Sequence, residues 1–386
     1  MKTKLYILLS VLACLAGACT PWYDYYQRRP LERYYEGAVY VRLHNDWTYL
    51  GEHPEAVTVL IAKDGDSITD RYITASVDSL DLRLGAGEYK VIVMNEMFVD
   101  YQTMAFYDAG SYQNIAARSN IREDITYAAP GRHNAPAVRS RENSYVWSPG
   151  VIGTAVDSFT ITEEQVEQYR RFVPYQEAAV PDTMMIHLYD TVSDMTCRLH
   201  VYVRTDSIGH MHHIEASALT GMADGFYLSR VWRTADTCML WLEDWEQRRG
   251  TLAEVSGGTI EGDSVRDWMV CHTSTFGIRH GKERAQDRLA EDNNLWLMYM
   301  LRGGGQVTYR YPVGKTLHYR DVAEDIFAGD YEERLPISGS LQLDIDLVID
   351  EPFDYPVLPQ MGDTVPSLFD VTVEPWAIGD STSVTM

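Results

Sequence analysis

Val39-Tyr40-Val41-Arg42-Leu43-His44 and Cys197-Arg198-Leu199-His200-Val201-Tyr202-Val203 decide the fold. In the first, Val39, Val41 and Leu43 alternate with Tyr40, Arg42 and His44. In the second, Cys197, Leu199, Val201 and Val203 alternate with Arg198, His200 and Tyr202. A period of two puts the apolar set on one face and the basic and aromatic set on the other, as in a half-buried β-strand.

The same period continues outward from the first stretch. Val57, Val59 and Ile61 alternate up to a turn at Asp64-Gly65-Asp66. Leu80, Leu82 and Leu84 follow, and Gly85-Ala86-Gly87 turns the chain into Tyr89, Val91 and Val93. Four strands separated by turns fit an antiparallel sandwich sheet. Residues 110–158, with Pro130, Gly131, Pro136 and Pro149, read as long loops and edge strands. Thr162-Glu163-Glu164-Gln165 is a capping-box pattern opening a short helix through Phe172. Pro174 and Pro181 follow it, placing a domain boundary at about 175–192.

From the second stretch, Ile214, Ala216 and Ala218 lead to a turn at Gly221-Met222-Ala223-Asp224-Gly225. Cys238 to Leu242 and Trp268 to His272 are further strands. Leu295–Leu301 and Val307–Tyr311 form a hairpin about Gly303-Gly304-Gly305. Leu341, Leu343, Ile345, Leu347 and Ile349 face inward, while Gln342, Asp344, Asp346 and Asp350 face out. A final strand, Phe369 to Val373, leads to Trp376. Elsewhere, Ala285–Glu291 and Asp321–Phe327 carry a turn or two of helical signal. The expected fold class is all-β: two similar sandwiches, spanning 37–180 and 190–386.

The N-terminus has its own logic. Lys2 and Lys4 precede an apolar run from Leu5 to Leu15, closed by Ala16-Gly17-Ala18-Cys19. Positive, apolar and small residues in that order form a secretory signal, and the cysteine after them makes it a lipoprotein signal. Residues 1–18 are then the leader, Cys19 the lipid-bearing residue, and 19–36 an aromatic tether. Cys14 is a weaker acceptor because Leu12 before it is bulky. The apolar run is shorter than the roughly 20 residues that span a bilayer. Two acyl chains hold a protein stably where one is marginal.

Composition narrows the partners. A formal charge of −23 argues against nucleic acid and anionic headgroups. Once the leader with Cys14 is removed, only Cys197, Cys238 and Cys271 remain besides Cys19. The odd number gives no complete disulfide framework, and no CxxC spacing suggests zinc or redox chemistry. Buried thiols on strands are expected, with one bridge as the alternative.

No stretch carries an enzyme motif. His210-Met211-His212-His213, with Glu215, is the most metal-like group, yet it follows the turn Asp206-Ser207-Ile208-Gly209 and reads as exposed. Asp344, Asp346 and Asp350 have the spacing of a solvent-facing strand edge. Gly303-Gly304-Gly305 lacks the Lys-Ser/Thr of a phosphate loop, and neither Gly-x-Ser-x-Gly nor His-Glu-x-x-His occurs. No catalytic, cofactor or metal residue is therefore assigned. With 26 tyrosines and nine tryptophans, exposed aromatics such as Trp22, Tyr25 and Trp47 could stack on a glycan or seat the tether.

Trp22-Tyr23-Asp24-Tyr25-Tyr26 after the signal, Val39 to Trp47, Leu84-Gly85-Ala86-Gly87-Glu88-Tyr89-Lys90-Val91, Cys197 to Val203 and Ala218-Leu219-Thr220-Gly221-Met222-Ala223 come in a particular order. Together they resemble the fimbrillin-like lipoproteins of Bacteroidales, relatives of the FimB/Mfa-type minor fimbrial subunits. The resemblance implies two tandem transthyretin-like antiparallel β-sandwich (Greek-key) domains. It implies an outer-membrane lipid anchor at Cys19, a role at or near a fimbrial base, and fimbrial subunits as partners. Shaft subunits of that superfamily pass a strand into a neighbour's groove. The terminal strand Phe369–Trp376 is the candidate here for pairing within the second domain or with a partner.

Overall fold

The computed structural model of the protein describes residues 38–51, 53–95, 102–123, 144–172, 185–205, 211–230, 232–301, 306–320, 322 and 343–351. They are mostly strand and fall into two compact units.

The first unit is a sandwich. One sheet holds β1 (Val39–Asp46) between β4 (Ser79–Leu84) and β10 (Ile186–Thr191). The facing sheet runs β11 (Ser193–Asp194), β9 (Gly153–Ile161), β5 (Gly87–Asn95), β2 (Val57–Lys63), β3 (Ile68–Thr74). Val41, Leu43 and Leu82 from one sheet pack with Val57, Val59, Ile61, Val91 and Val93 from the other. Complete burial of a valine or leucine side chain stabilises by roughly 1.5–3 kcal/mol. β2 is buried on both faces, because Thr58, Leu60 and Ala62 are as enclosed as Val57 and Ile61. It is therefore not the half-buried strand its alternation suggested.

Helix α1 (Glu163–Phe172) begins where the capping box placed it. The Thr162 hydroxyl accepts from the Gln165 backbone N–H at 3.2 Å, and the Gln165 side chain accepts from the Thr162 N–H at 2.7 Å. Glu163 and Glu164 add favourable charge at its N-terminus. Val166 and Tyr169 enter the core.

In the second unit one sheet runs β17 (Glu246–Gly250), β18 (Arg266–Thr275), β12 (Cys197–Arg204), β22 (Leu343–Ile349), β21 (His318–Tyr319). The other runs β20 (Gln306–Pro312), β19 (Asn294–Leu301), β13 (Met211–Ala223), β16 (Thr237–Trp241), β8 (Tyr145–Val146). Leu199, Val201, Ile345 and Leu347 meet Leu219, Leu240, Leu295 and Leu297 between them. A smaller sheet joins β6 (Met104–Tyr107), β7 (Ala116–Ser119), β14 (Gly225–Tyr227) and β15 (Trp232–Arg233). Helix α2 (Leu252–Val255) lays Leu252 and Val255 on Tyr202 and Trp268, at the outer face of the β12 sheet.

Several expectations need correction. The sheets are not purely antiparallel. β1 pairs parallel with β10, β12 with β22, and β16 with β8. Parallel partners need a long crossover, so each opening strand is joined by one from the far end of its unit, Val41 to Ile186 and Cys197 to Leu343. The four strands of the first stretch do not share one sheet: Gly85-Ala86-Gly87 carries the chain from β4 in one sheet to β5 in the other. Gly221 does not open a turn. At φ +77° it forms a bulge within β13, where the register with β16 shifts between Thr220 and Met222.

The segment read as loops and edges, 110–158, ends inside β9, a nine-residue strand between β5 and β11. Asp157 and exposed Val156 blurred its alternation. The chain passes from the first unit to the second at Ser193–Asp194, beside the 175–192 segment. Residues 102–107, 116–123 and 144–152 belong to the second unit, because β7 pairs with β14 and β8 with β16. Ala285–Glu291 resolves into two 3-10 turns, Ala285–Asp287 and Ala290–Asp292. The Leu295–Tyr311 hairpin is present as β19 and β20, while its glycine tip lies outside the described residues, as do Asp321 and residues 323–327.

Candidate functional site

Each unit carries an Arg-Leu-His triplet, Arg42-Leu43-His44 on β1 and Arg198-Leu199-His200 on β12. Leucine points into the core in both, so arginine and histidine stand on the outer face of the sheet.

On β1, Arg42 binds Asp81 of β4 through two bonds, Nε to Oδ1 at 2.6 Å and Nη2 to Oδ2 at 2.9 Å. The guanidinium hydrogen bond holds the Asp81 carboxyl below its ordinary value. His44 Nε2 lies 2.9 Å from His187 Nδ1 across the parallel β1–β10 pair. Tyr189 stacks on His44 with centroids 4.6 Å apart and stays 76% exposed. β10 is the edge of this sheet among the described residues. Its inward residues Ile186 and Leu188 are only half-buried, where Val41 and Leu43 beside them are fully buried.

On β12, His200 Nδ1 lies 2.8 Å from His272 Nδ1 of β18. The next strand presents Asp344 and Asp346, and both are held by Arg320. Its Nε and Nη2 donate to Asp346 at 2.7 and 2.5 Å, and its Nη1 donates to Asp344 at 3.0 Å. Hydrogen bonding to Asp346 is the main reason the Arg320 guanidinium is pushed further up. His200 Nε2 and Asp344 Oδ1 are 3.8 Å apart, and each is buried without a hydrogen-bond partner.

The residues singled out in the sequence fare differently. Cys19, Trp22, Tyr25, His210 and Phe369–Trp376 lie outside the described residues. Trp47 is 6% exposed, and its indole N–H donates to the Val77 carbonyl at 3.1 Å. It is a core residue and is not available to stack on a sugar. Cys197, Cys238 and Cys271 are buried, reduced thiols, as expected from their strand positions. Burial pushes the Cys271 thiol up to about 12. His212 and His213 are exposed on β13, where His213 Nε2 lies 2.7 Å from Glu215 Oε2. They sit within a strand at a bulge, and the turn expected before them at Asp206–Gly209 lies outside the described residues.

Asp346 departs from the solvent-facing reading. It is 2% exposed, and β22 is an inner strand of its sheet. The partners Asp81, His187, His272 and Arg320 were not singled out. The repeated Arg-Leu-His was their only local signal. No group of three or more His, Cys, Asp or Glu among the described residues is arranged to hold a metal, and no described helix is long and apolar enough to cross a membrane. The described residues carry a pair of ordered polar faces and an edge strand, β10.

A protein-family model described as "Domain of unknown function (DUF5119)" matches residues 27–243, and the chain belongs to that family. No curated protein sequence matches it. Among solved structures it is similar to a "putative adhesin" of Bacteroides ovatus, at 15% identity and TM-score 0.45, covering 73% of this chain and 85% of that one. It is also similar to the fimbrial anchor protein Mfa2 of Porphyromonas gingivalis, at 12% identity and TM-score 0.37, covering 81% of this chain and 90% of that one.

Proposed function

We propose that this DUF5119 family member is a non-enzymatic, fimbrillin-like lipoprotein held on the outer membrane through Cys19. It acts as a fimbrial anchor or accessory subunit in cell-surface assembly or adhesion, through strand-mediated protein contacts. The observation that carries the reading is Ala16-Gly17-Ala18-Cys19 closing an apolar leader in a chain whose described part is two β-sandwiches. The β10 edge supports the contact mode, because an edge strand offers backbone N–H and C=O groups to an added strand. The terminal strand Phe369–Trp376 is the segment proposed to engage a partner.

The test is a pull-down of the lipidated protein from native outer membranes, combined with protease shaving of intact cells. Co-purified fimbrial subunits and cleavage on intact cells support a surface anchor. Full protection with no fimbrial partner overturns it. A Cys19→Ser variant should leave the membrane fraction, and deletion of residues 367–386 should abolish partner capture.

Tyr189 favours a second reading, a lipid-tethered glycan-binding protein. An exposed aromatic face backed by His44 is a stacking platform. A glycan array with wild type and Tyr189→Ala separates the two, since only the glycan reading expects binding that the substitution removes.

A further inference from the structure

His200 and His272 are opposed in the antiparallel register of β12 and β18, with ring centroids 4.9 Å apart and planes at 70°. Their facing Nδ1 atoms are separated by 2.8 Å. A neutral imidazole has one N–H and one lone pair, so joining two such nitrogens requires that one of them be an acceptor.

The far side of His200 indicates which tautomer it adopts. Its Nε2 is buried and faces Asp344 Oδ1 at 3.8 Å, and neither atom has a hydrogen-bond partner. The other oxygen of Asp344 is occupied by Arg320 at 3.0 Å. A carboxylate oxygen facing Nε2 favours the proton there and leaves the lone pair on Nδ1, aimed at His272. A metal-ligating histidine is oriented by a carboxylate on its far nitrogen, and Asp344 stands on that side of His200, 3.8 Å away. His272 is exposed, so the pair of nitrogens can be reached from solvent.

We propose that His200 and His272 form a two-histidine site for a divalent transition-metal ion of the Zn²⁺/Cu²⁺ class, with Asp344 as the positioning carboxylate. Imidazole nitrogen suits these ions, whereas calcium and magnesium require oxygen ligands. Two protein ligands leave the other coordination positions to water, so the site is open and exchangeable. The nearby charges of Arg198, Arg248 and Arg320 are balanced by Glu246, Asp344 and Asp346. Attraction must therefore come from coordination and not from net charge.

The test is calorimetric titration of the full chain with Zn²⁺, paired with Cu²⁺ electron paramagnetic resonance. One nitrogen-ligated site is expected. It should be lost in His272→Gln and His200→Gln, and weakened about tenfold in Asp344→Asn. His44→Gln and His212→Gln should leave it intact. His272 is exposed, so His272→Gln is decisive even where His200→Gln unfolds the protein. Absence of binding, binding that survives His272→Gln, or binding lost instead with His44 or His212 overturns the proposal.

Discussion

Asp190 on β10 stands in register with Asn45 on β1, and both point inward at the end of the first core. The Oδ2 of Asp190 and the Oδ1 of Asn45 are each buried without a hydrogen-bond partner. Two acceptors without a donor are stabilised when one gains a proton. Burial, with Asp157 nearby, pushes the Asp190 carboxyl up to about 6.

Asp190 should therefore make the protein less stable as pH rises. A raised folded-state value means its contribution is fully present below the ordinary value of 3.8 and lost as pH climbs through about 6. The loss amounts to at most about 3 kcal/mol. Asp190→Asn should stabilise the fold at pH 7.5 and change little at pH 4. Urea unfolding at both values checks this, and an equal effect at the two would refute it.

Arg320 is the only cation bonded to Asp346 among the described residues, and that carboxylate is 2% exposed. Removing one partner of a buried pair leaves an uncompensated charge, at a cost of about 3–5 kcal/mol. Arg320→Met should cost that much, and adding Asp346→Asn should recover a large part. A double-mutant cycle by urea unfolding decides the matter. A cost under about 1 kcal/mol would make it an ordinary solvated bridge.

Trp47→Ala should lower stability by about 3–5 kcal/mol, because it empties a core position and removes the bond to Val77. Thermal unfolding measures the effect. Unchanged stability would contradict its burial.

Gly221→Ala should destabilise by at least about 2 kcal/mol. A Cβ there would sit 2.1 Å from the Asp292 carbonyl oxygen, at a φ of +77° that disfavours L side chains. Denaturant unfolding with a Gly65→Ala control, in open space and without a positive φ, gives the comparison.

Cys197, Cys238 and Cys271 should resist alkylation in the native state at pH 8 and react once the protein is unfolded. Peptide mapping by mass spectrometry identifies each site. Rapid native labelling of Cys271 would show that its cover opens.

The sequence by itself determined what depends on near neighbours. Period-two alternation identified β1, β12, β18 and the β19–β20 hairpin, since a strand's faces are set by backbone geometry alone. Thr162 and Gln165 are three residues apart, so their reciprocal cap was visible too. Inward positions on alternating strands likewise anticipated three buried thiols.

Tertiary structure decided what depends on which strands become neighbours. His44 and His187 are 143 positions apart, and His200 and His272 are 72 apart. No local pattern fixes such partners; they follow from the parallel return of β10 and from β18 pairing with β12. The same pairing buried Asp346 beside Arg320 and enclosed Trp47, whose neighbours Asp46 and Thr48 are exposed. Alternation states which face a residue occupies. Only packing states what covers that face, and the chemistry of this chain is set by the cover.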